Sequence, residues 1–566
     1  MKLVDLKAKP FYLKDEDISW VENTIVGMTT EEKIGQLFIN LFMDLDPEKS
    51  KELLQKYHIG GARYQGGDSN KVYELLSNLQ KNSKIPMLIA ANCDAGGDGA
   101  IKDGTYIASA TQVEASGSEK VAYNVGYVSG REEAAIGVNW NFDPCADILK
   151  NWRNTIVNTR AYGSTPESVI KYTSSYIKGL RQSNVASCAK HFPGDGTEER
   201  DQHLVLGVNE LSTDQWDASF GKVYKNLIDE GLMTMMAGHI ALPAYQKKLV
   251  PGMKDEDILP ATLAPELITG LLREQLGFNG LVVTDASHML GMAAAMKRRD
   301  YVPAAIAAGC DMFLFFNDYE EDFNFMLDGY KNGVITEDRL QDALRRILGL
   351  KASLKLHIKQ KEGTLIPGRE GLKVIGCEEH LAMAKEAADL GITLVKNTKN
   401  ELPIKPSTHK RISLHTLFGE IGGITQGTND AEKIIIEELE KVGFVVTLHD
   451  GEQREKGKTA QLSKDFDAAL VFANIVGYAA ENNYRIKWKC PMSSDIPWYV
   501  YEIPTVFVSL NFTTHLTDVP MVKTYINAYK DTREVIRQTI QKIMGESEFK
   551  GTANDNVFCD KWETRR

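Results

Sequence analysis

The segment Lys190-His191-Phe192-Pro193-Gly194-Asp195-Gly196-Thr197-Glu198-Glu199-Arg200-Asp201-Gln202-His203 sets a lysine and two histidines among carboxylates in a loop punctuated by proline and glycine. A loop histidine can give and take a proton near neutral pH, because its unperturbed pKa is about 6.5. A carboxylate two residues away, Asp201, can hold the other ring nitrogen, as in catalytic triads. A second segment, 277–289, feeds a short apolar run into Asp285. Locally, that carboxylate can serve as a nucleophile, a metal ligand or the N-cap of the residues that follow. Taken together, the two segments hold what glycoside hydrolysis needs: one group for the anomeric carbon and another for the leaving oxygen. Taken apart, both have ordinary readings as a solvated D-x-H loop and a helix cap.

The surrounding pattern predicts elements that can position these groups. Short apolar runs at 35–40, 60–64, 87–91, 140–143, 185–191, 232–238, 281–284 and 311–316 alternate with helical stretches such as 119–135, 166–182 and 264–276. This alternation predicts a parallel α/β architecture, and the number of strands suggests a TIM-type (β/α)8 barrel. An open doubly wound sheet remains compatible with the pattern. Polar residues close several runs: Asp94, Asp147, Lys190 with His191, His239 and Asp285. At strand carboxyl ends they would ring one mouth. Thr336 reads as the N-cap of a helix over 336–350. The expected organisation is a catalytic barrel over 1–350, a Lys- and Gly-rich linker over 351–379, and a smaller α/β sandwich over 380–566. A glycine-rich turn at 419–427 matches neither the dinucleotide fingerprint nor the P-loop and reads as structural.

Composition bounds the function classes. The 566 residues are 43% hydrophobic and 25% charged with net charge −11, which suits a globular protein and disfavours nucleic-acid binding. No run is long and apolar enough for a membrane span, and the N-terminus lacks the apolar core of a signal peptide. Seven dispersed cysteines with no C-x-x-C read as reduced thiols. A cytoplasmic setting is the simplest reading. His191, Asp195, His203 and His239 form a conceivable ligand set, but no H-x-H or H-E-x-x-H pattern accompanies them, so neither metal nor cofactor is expected.

Residues 190–203 and 281–285 closely resemble the signatures of glycoside hydrolase family 3, in particular its bacterial β-N-acetylglucosaminidase branch. That branch reads K-H-F-P-G-H-G and, after a short loop, D-x-H. Here Asp195 stands where the branch usually has a second loop histidine. Further likeness at 158–164, at Gly238-His239 and at 308–312 extends the resemblance over most of 25–350, with a weaker likeness in the second domain. The resemblance implies that Asp285 is the nucleophile, His203 the general acid/base and Asp201 its orienting partner. It implies sugar-hydroxyl contacts for Lys190, His191, Arg160 and Asp94. One residue rather than two separates Asp94 from its glycine pair, and Asp98 replaces the arginine that usually follows. The implied activity is a retaining, exo-acting β-N-acetylglucosaminidase on small β-GlcNAc-containing saccharides or glycosides. A β-glucosidase of the same family is the alternative; such relatives draw an acid/base glutamate from the second domain, for which Glu481 is one candidate. A phosphorylase is another, since an uncharged histidine tolerates incoming phosphate better than a carboxylate does. A non-catalytic sugar-binding protein would need no nucleophile and acid/base pair. Oligomeric state has no signature in the sequence.

Overall fold

A computed structural model describes residues 3–43, 46–419, 430–449, 451–452, 459–475 and 484–566. It divides into two compact units, and neither is continuous in sequence. The first comprises Met1–Tyr106, Ala122–Ile148 and Thr165–His380; the second comprises Ile107–Val121, Leu149–Ser164 and Leu381–Arg566.

The first unit is a closed barrel. Its strands are β1 (Phe38–Phe42), β2 (Gly61–Tyr64), β3 (Leu88–Ala91), β4 (Trp140–Asn141), β5 (Ala186–Phe192), β6 (Thr234–Ala237), β7 (Leu281–Ala286) and β8 (Met312–Leu314). Each pairs in parallel with its sequence neighbour, and β1 closes on β8 through Phe38↔Phe313 and Ile39↔Leu314. This is the TIM-type fold expected from the alternation. Parallel strands covered by helices are buried on both faces, which is why they read as continuous apolar runs; β5, Ala-Ser-Cys-Ala-Lys-His-Phe, is buried throughout. The helix Pro166–Leu180 that delivers the chain to β5 starts on Thr165, whose side chain accepts from the Ser168 N–H, with proline in the first turn. Thr336 caps Glu337–Ser353 in the same way, as its sequence predicts. Residues 351–379 include the helical segments Leu356–Glu362 and Arg369–Val374, both within the first unit.

The second unit is built on a six-stranded sheet: β9 (Thr393–Asn397), β10 (Arg411–Phe418), β11 (Val445–His449), β12 (Ala468–Asn474), β13 (Thr505–Ser509) and β14 (Thr524–Asn527). The strand order is β9-β14-β13-β12-β10-β11, and only the β9–β14 pair is antiparallel. Along β12, Leu470 and Phe472 join one apolar cluster and Ala469, Val471 and Ala473 join another. Both faces of the sheet are therefore covered, as in an α/β sandwich. The glycine-rich turn at 420–427 and Glu481 lie outside the described residues. Among the described residues, no helix is long and apolar enough to cross a membrane.

Candidate active site

The carboxyl ends of β3, β4, β5 and β7 bring one cluster together. β5 ends in Lys190-His191-Phe192, so two candidate site residues occupy adjacent positions of one strand. Lys190 is almost fully buried, and its Nζ lies 2.7 Å from Asp143 Oδ1 and 3.2 Å from Asp94 Oδ1. A buried ammonium requires such partners. Asp94 remains about a quarter exposed, with its side chain at 24%, so one carboxylate of the pair can still meet a ligand.

His191 is held by Asp147. The His191 N–H donates to Asp147 Oδ1 at 3.1 Å, and Nδ1 lies 2.8 Å from Oδ2. Asp147 also accepts from the Asp195 N–H at 2.7 Å and from the Cys145 thiol at 3.1 Å. Burial pushes the Asp147 carboxyl up, but His191 and these donors outweigh burial and hold it below its ordinary value. An ionised Asp147 can only accept, so His191 Nδ1 carries the proton and Nε2 is left facing the cleft. Nε2 lies 4.0 Å from Asp285 Oδ2.

Asp285 is the penultimate residue of β7, and its Oδ1 accepts the Ala286 N–H at 2.7 Å. Burial raises its proton affinity, but the neighbouring imidazoles of His191, His239 and His203 and the Ala286 N–H together outweigh burial, so the net shift is downward. The group is therefore an anion near neutral pH, the form that a nucleophile requires.

The loop after β5 carries the histidine pair. His203 Nδ1 lies 2.7 Å from Asp201 Oδ1, and the same oxygen accepts the His203 backbone N–H at 2.7 Å. Asp201 is fully buried while the His203 side chain is 25% exposed, so the free Nε2 belongs to an accessible ring with a fixed tautomer. The loop is tied to the segment after Asp285: the Leu290 N–H donates to the His203 carbonyl at 3.0 Å and the Gly291 N–H to the Gln202 carbonyl at 3.2 Å. Farther along, Gly207–Val208 pairs in parallel with Ile240–Ala241. Gln202 bridges inward, donating to Asp195 Oδ2 at 3.4 Å and accepting the His239 N–H at 3.0 Å.

His239 is buried beneath this junction. Its Nε2–H donates to the Ala286 carbonyl at 2.9 Å, and Nδ1 accepts from the Thr262 hydroxyl at 3.0 Å. Burial holds its pKa below the ordinary imidazole value. His239 thus supports the backbone next to Asp285 as a neutral donor. The sequence placed it as a polar residue closing a strand run.

Asp94, Lys190, His191, Asp201, His203 and Asp285 all lie in the first unit. Arg160 lies in Leu149–Ser164, part of the second unit, and is buried there. Sequence reasoning gave Asp143 no role and noted Asp147 only as a strand-end carboxylate. The signal was present as Asp143-Pro144-Cys145-Ala146-Asp147 just after β4. The four residues weighed as metal ligands each bond elsewhere: His191 to Asp147, Asp195 to Gln202, His203 to Asp201 and His239 to Thr262. Cys145, Asp147 and His191 do bring one donor atom each within 4.8 Å of one another. A cation there would displace the proton between His191 and Asp147.

A family profile described as "Glycosyl hydrolase family 3 N terminal domain" matches residues 29–350. A protein of Cellulomonas fimi named beta-N-acetylglucosaminidase/beta-glucosidase is 39% identical over 566 residues, covering 99% of this chain and 100% of its own. A solved structure of the beta-glucoside phosphorylase BglX bound to 2FGlc is 38% identical with a TM-score of 0.92, covering 97% of this chain and 98% of that one. A family 3 beta-N-acetylglucosaminidase from Paenibacillus sp. str. FPU-7 is 23% identical with a TM-score of 0.79, covering 93% of this chain and 98% of that one, a likeness in fold.

Proposed function

The chain belongs to glycoside hydrolase family 3, and on that premise we propose that this β-glycosidase is a retaining, exo-acting β-N-acetylglucosaminidase working through Asp285, His203 and Asp201. The observation that carries this reading is the junction at the barrel mouth. The loop bearing the Asp201–His203 pair is hydrogen-bonded to the turn that follows Asp285.

In the first step the Asp285 carboxylate attacks the anomeric carbon while His203 Nε2–H protonates the departing oxygen. The C–O bond to the aglycone breaks and a glycosyl ester forms. Asp201 stabilises the imidazolium and keeps Nε2 as the exchanging atom. In the second step neutral His203 takes a proton from water, whose oxygen displaces Asp285 and releases the sugar with retained configuration. Lys190 donates to sugar hydroxyls and Asp94 accepts from them, giving directional recognition. The near relative named for both N-acetylglucosaminide and glucoside cleavage supports a pocket that tolerates either sugar.

A second reading is phosphorolysis, supported by the 38% identical beta-glucoside phosphorylase over nearly the whole chain. A histidine base carries no negative charge once deprotonated, so a phosphate dianion can approach the glycosyl ester without the repulsion a glutamate would exert. Phosphate oxygen would then displace Asp285 and yield a glycosyl phosphate.

Release of p-nitrophenol from β-GlcNAc and β-glucose derivatives, with and without inorganic phosphate, tests both readings. Faster turnover of the GlcNAc derivative is expected. A preference for glucose overturns the N-acetylglucosaminidase assignment, and glycosyl phosphate as the main product replaces hydrolysis with phosphorolysis.

A further inference from the structure

Outside the glycosidase centre, Cys377, Glu379 and His380 bring one ligand atom each within 4.8 Å of one another. We propose that these three side chains bind a single borderline-soft divalent ion, of which Zn2+ and Co2+ are the best matches, with a further coordination position open to water.

The histidine is the strongest part of the argument. His380 is fully buried, and its Nδ1 lies 2.7 Å from Glu132 Oε1. That carboxylate is buried and already accepts from the Thr105 N–H at 2.8 Å, the Thr105 hydroxyl at 2.6 Å and the Gly376 N–H at 3.2 Å. A carboxylate so placed acts as an acceptor, so Nδ1 carries the ring proton and Nε2 presents a lone pair. Among the described residues Nε2 has no hydrogen-bond partner. A buried acceptor nitrogen without a partner is costly. A ring whose far nitrogen is locked to a carboxylate is also how metal-binding histidines are oriented and made more basic.

The other two donors fit the same ion. Cys377 is half-buried, so its sulfur is reachable and can lose its proton to a metal. Glu379 is held from outside: Arg131 Nη1 donates to Oε2 at 2.5 Å, while Oε1 lies 3.5 Å from the Tyr127 hydroxyl. Oε1 is thus the oxygen available to an ion, and Arg131 fixes the carboxylate's direction. The arginine's charge also lowers cation affinity, which separates this site from all-thiolate zinc sites. A sulfur–nitrogen–oxygen set disfavours Mg2+ and Ca2+, which seek oxygen alone. Bound distances of about 2.3 Å to sulfur and about 2.0 Å to nitrogen require the donors to close in from their present spacing, which rotation of the accessible Cys377 and Glu379 side chains can supply.

The test uses the full chain, treated with a chelator, dialysed and titrated with Co2+. One equivalent of ion with a thiolate-to-cobalt charge-transfer absorption is expected, displaced by Zn2+, and Zn2+ should raise the Tm by mass action. Cys377→Ser should abolish that absorption, and Glu379→Gln should weaken binding by at least about tenfold. Glu132→Gln should weaken it by about 10–100-fold, the usual effect of losing a partner behind a ligating histidine. Cys377 and Glu379 are accessible, so their variants keep the test valid even if changes at buried His380 or Glu132 unfold the chain. Turnover of the glycoside substrate should be unaltered in Cys377→Ser. Absence of the charge-transfer band in the wild-type protein overturns the proposal, and so does a band that survives in Cys377→Ser, which would place the ion on another thiol.

Discussion

Asp147 shows how one side chain can set the working state of others that it does not accompany in the reaction. It gathers four donors from three residues and fixes the tautomer of His191, whose Nε2 faces Asp285. In Asp147→Asn the charge is lost and an amide N–H₂ can face His191 Nδ1. The His191 ring is then no longer held by a carboxylate in its place beside Asp285, and Asp285 loses part of what holds its proton affinity down. The acid limb of kcat/KM should therefore move to higher pH in the variant, read from a pH–rate profile; an unmoved limb separates Asp147 from Asp285. Stability carries the same sign. A carboxylate whose folded pKa is depressed below its ordinary 3.8 contributes stability above that value and loses it as pH falls through the folded value. Chemical denaturation should show Asp147→Asn less stable by about 1–3 kcal/mol at neutral pH, the scale of losing a buried charged acceptor, with the gap narrowing below about pH 4. A second expectation concerns His203→Ala. Turnover should fall by about 10²–10⁴-fold for substrates with poor leaving groups and much less for p-nitrophenyl glycosides, whose departing oxygen needs little protonation. Equal losses on both would remove His203 from the acid role. The spatial grouping of Lys190, His191, Asp201, His203 and Asp285 was legible because motif spacing carried it. The part played by Asp143 and Asp147 was not, since strand-end carboxylates are common and it is the parallel pairing of β4 with β5 that sets them beside Lys190 and His191.

At the scale of elements, the mouth depends on close approach between the loop after β5 and the turn after β7. Gly291 is where they touch. A Cβ there would sit 2.8 Å from His239 Cβ and 2.9 Å from the Gln202 carbonyl oxygen. Gly291→Ala should push Gln202 and His203 away from Asp285, lowering kcat more than it raises KM and costing about 1–3 kcal/mol in stability as overpacking does. Steady-state kinetics with a thermal melt checks both, and wild-type kcat would show that the junction is not a positioning device. Elements such as β5, β7 and the Thr336-capped helix were readable from apolar runs and caps. The first strand was not. Its expected span, 35–40, includes the end of the helix Thr30–Gln36, and β1 begins only at Phe38. Thr29 and Glu32 form a capping box there, and Gly35 allows the helix to approach the Tyr57 carbonyl, where a Cβ would lie 2.1 Å away. The periodicity of so short an apolar stretch cannot separate a helix end from a strand.

At the scale of the whole molecule, alternation of strands and helices was enough to predict a barrel, but local pattern does not encode which unit an irregular segment joins. Ile107–Val121 and Leu149–Ser164, with Arg160, pack with the second unit although they lie between barrel strands in sequence. Long-range polar ties were equally invisible. One joins the helix Glu337–Ser353 to the helix Thr30–Gln36: the fully buried Lys351 donates to Gln36 Oε1 at 2.7 Å, and Gln36 Nε2 donates onward to the His58 carbonyl at 2.8 Å. With no carboxylate to offset burial, the Lys351 amine is pushed down to about 7. In this case the depressed group is a base, so between about pH 7 and its ordinary 10.5 the unfolded chain binds more protons than the folded one. Wild-type stability should accordingly gain from Lys351 as pH rises through that window, and below it the full cost of burying the ammonium remains. Lys351→Met keeps the chain length and removes the titration while leaving Gln36 Oε1 without its donor. The variant's stability relative to wild type should therefore be most favourable near pH 7 and decline steadily toward pH 10, as followed by denaturant titrations across that range. A difference independent of pH would mean that Lys351 stays protonated in the folded barrel, with its charge solvated by a route other than Gln36.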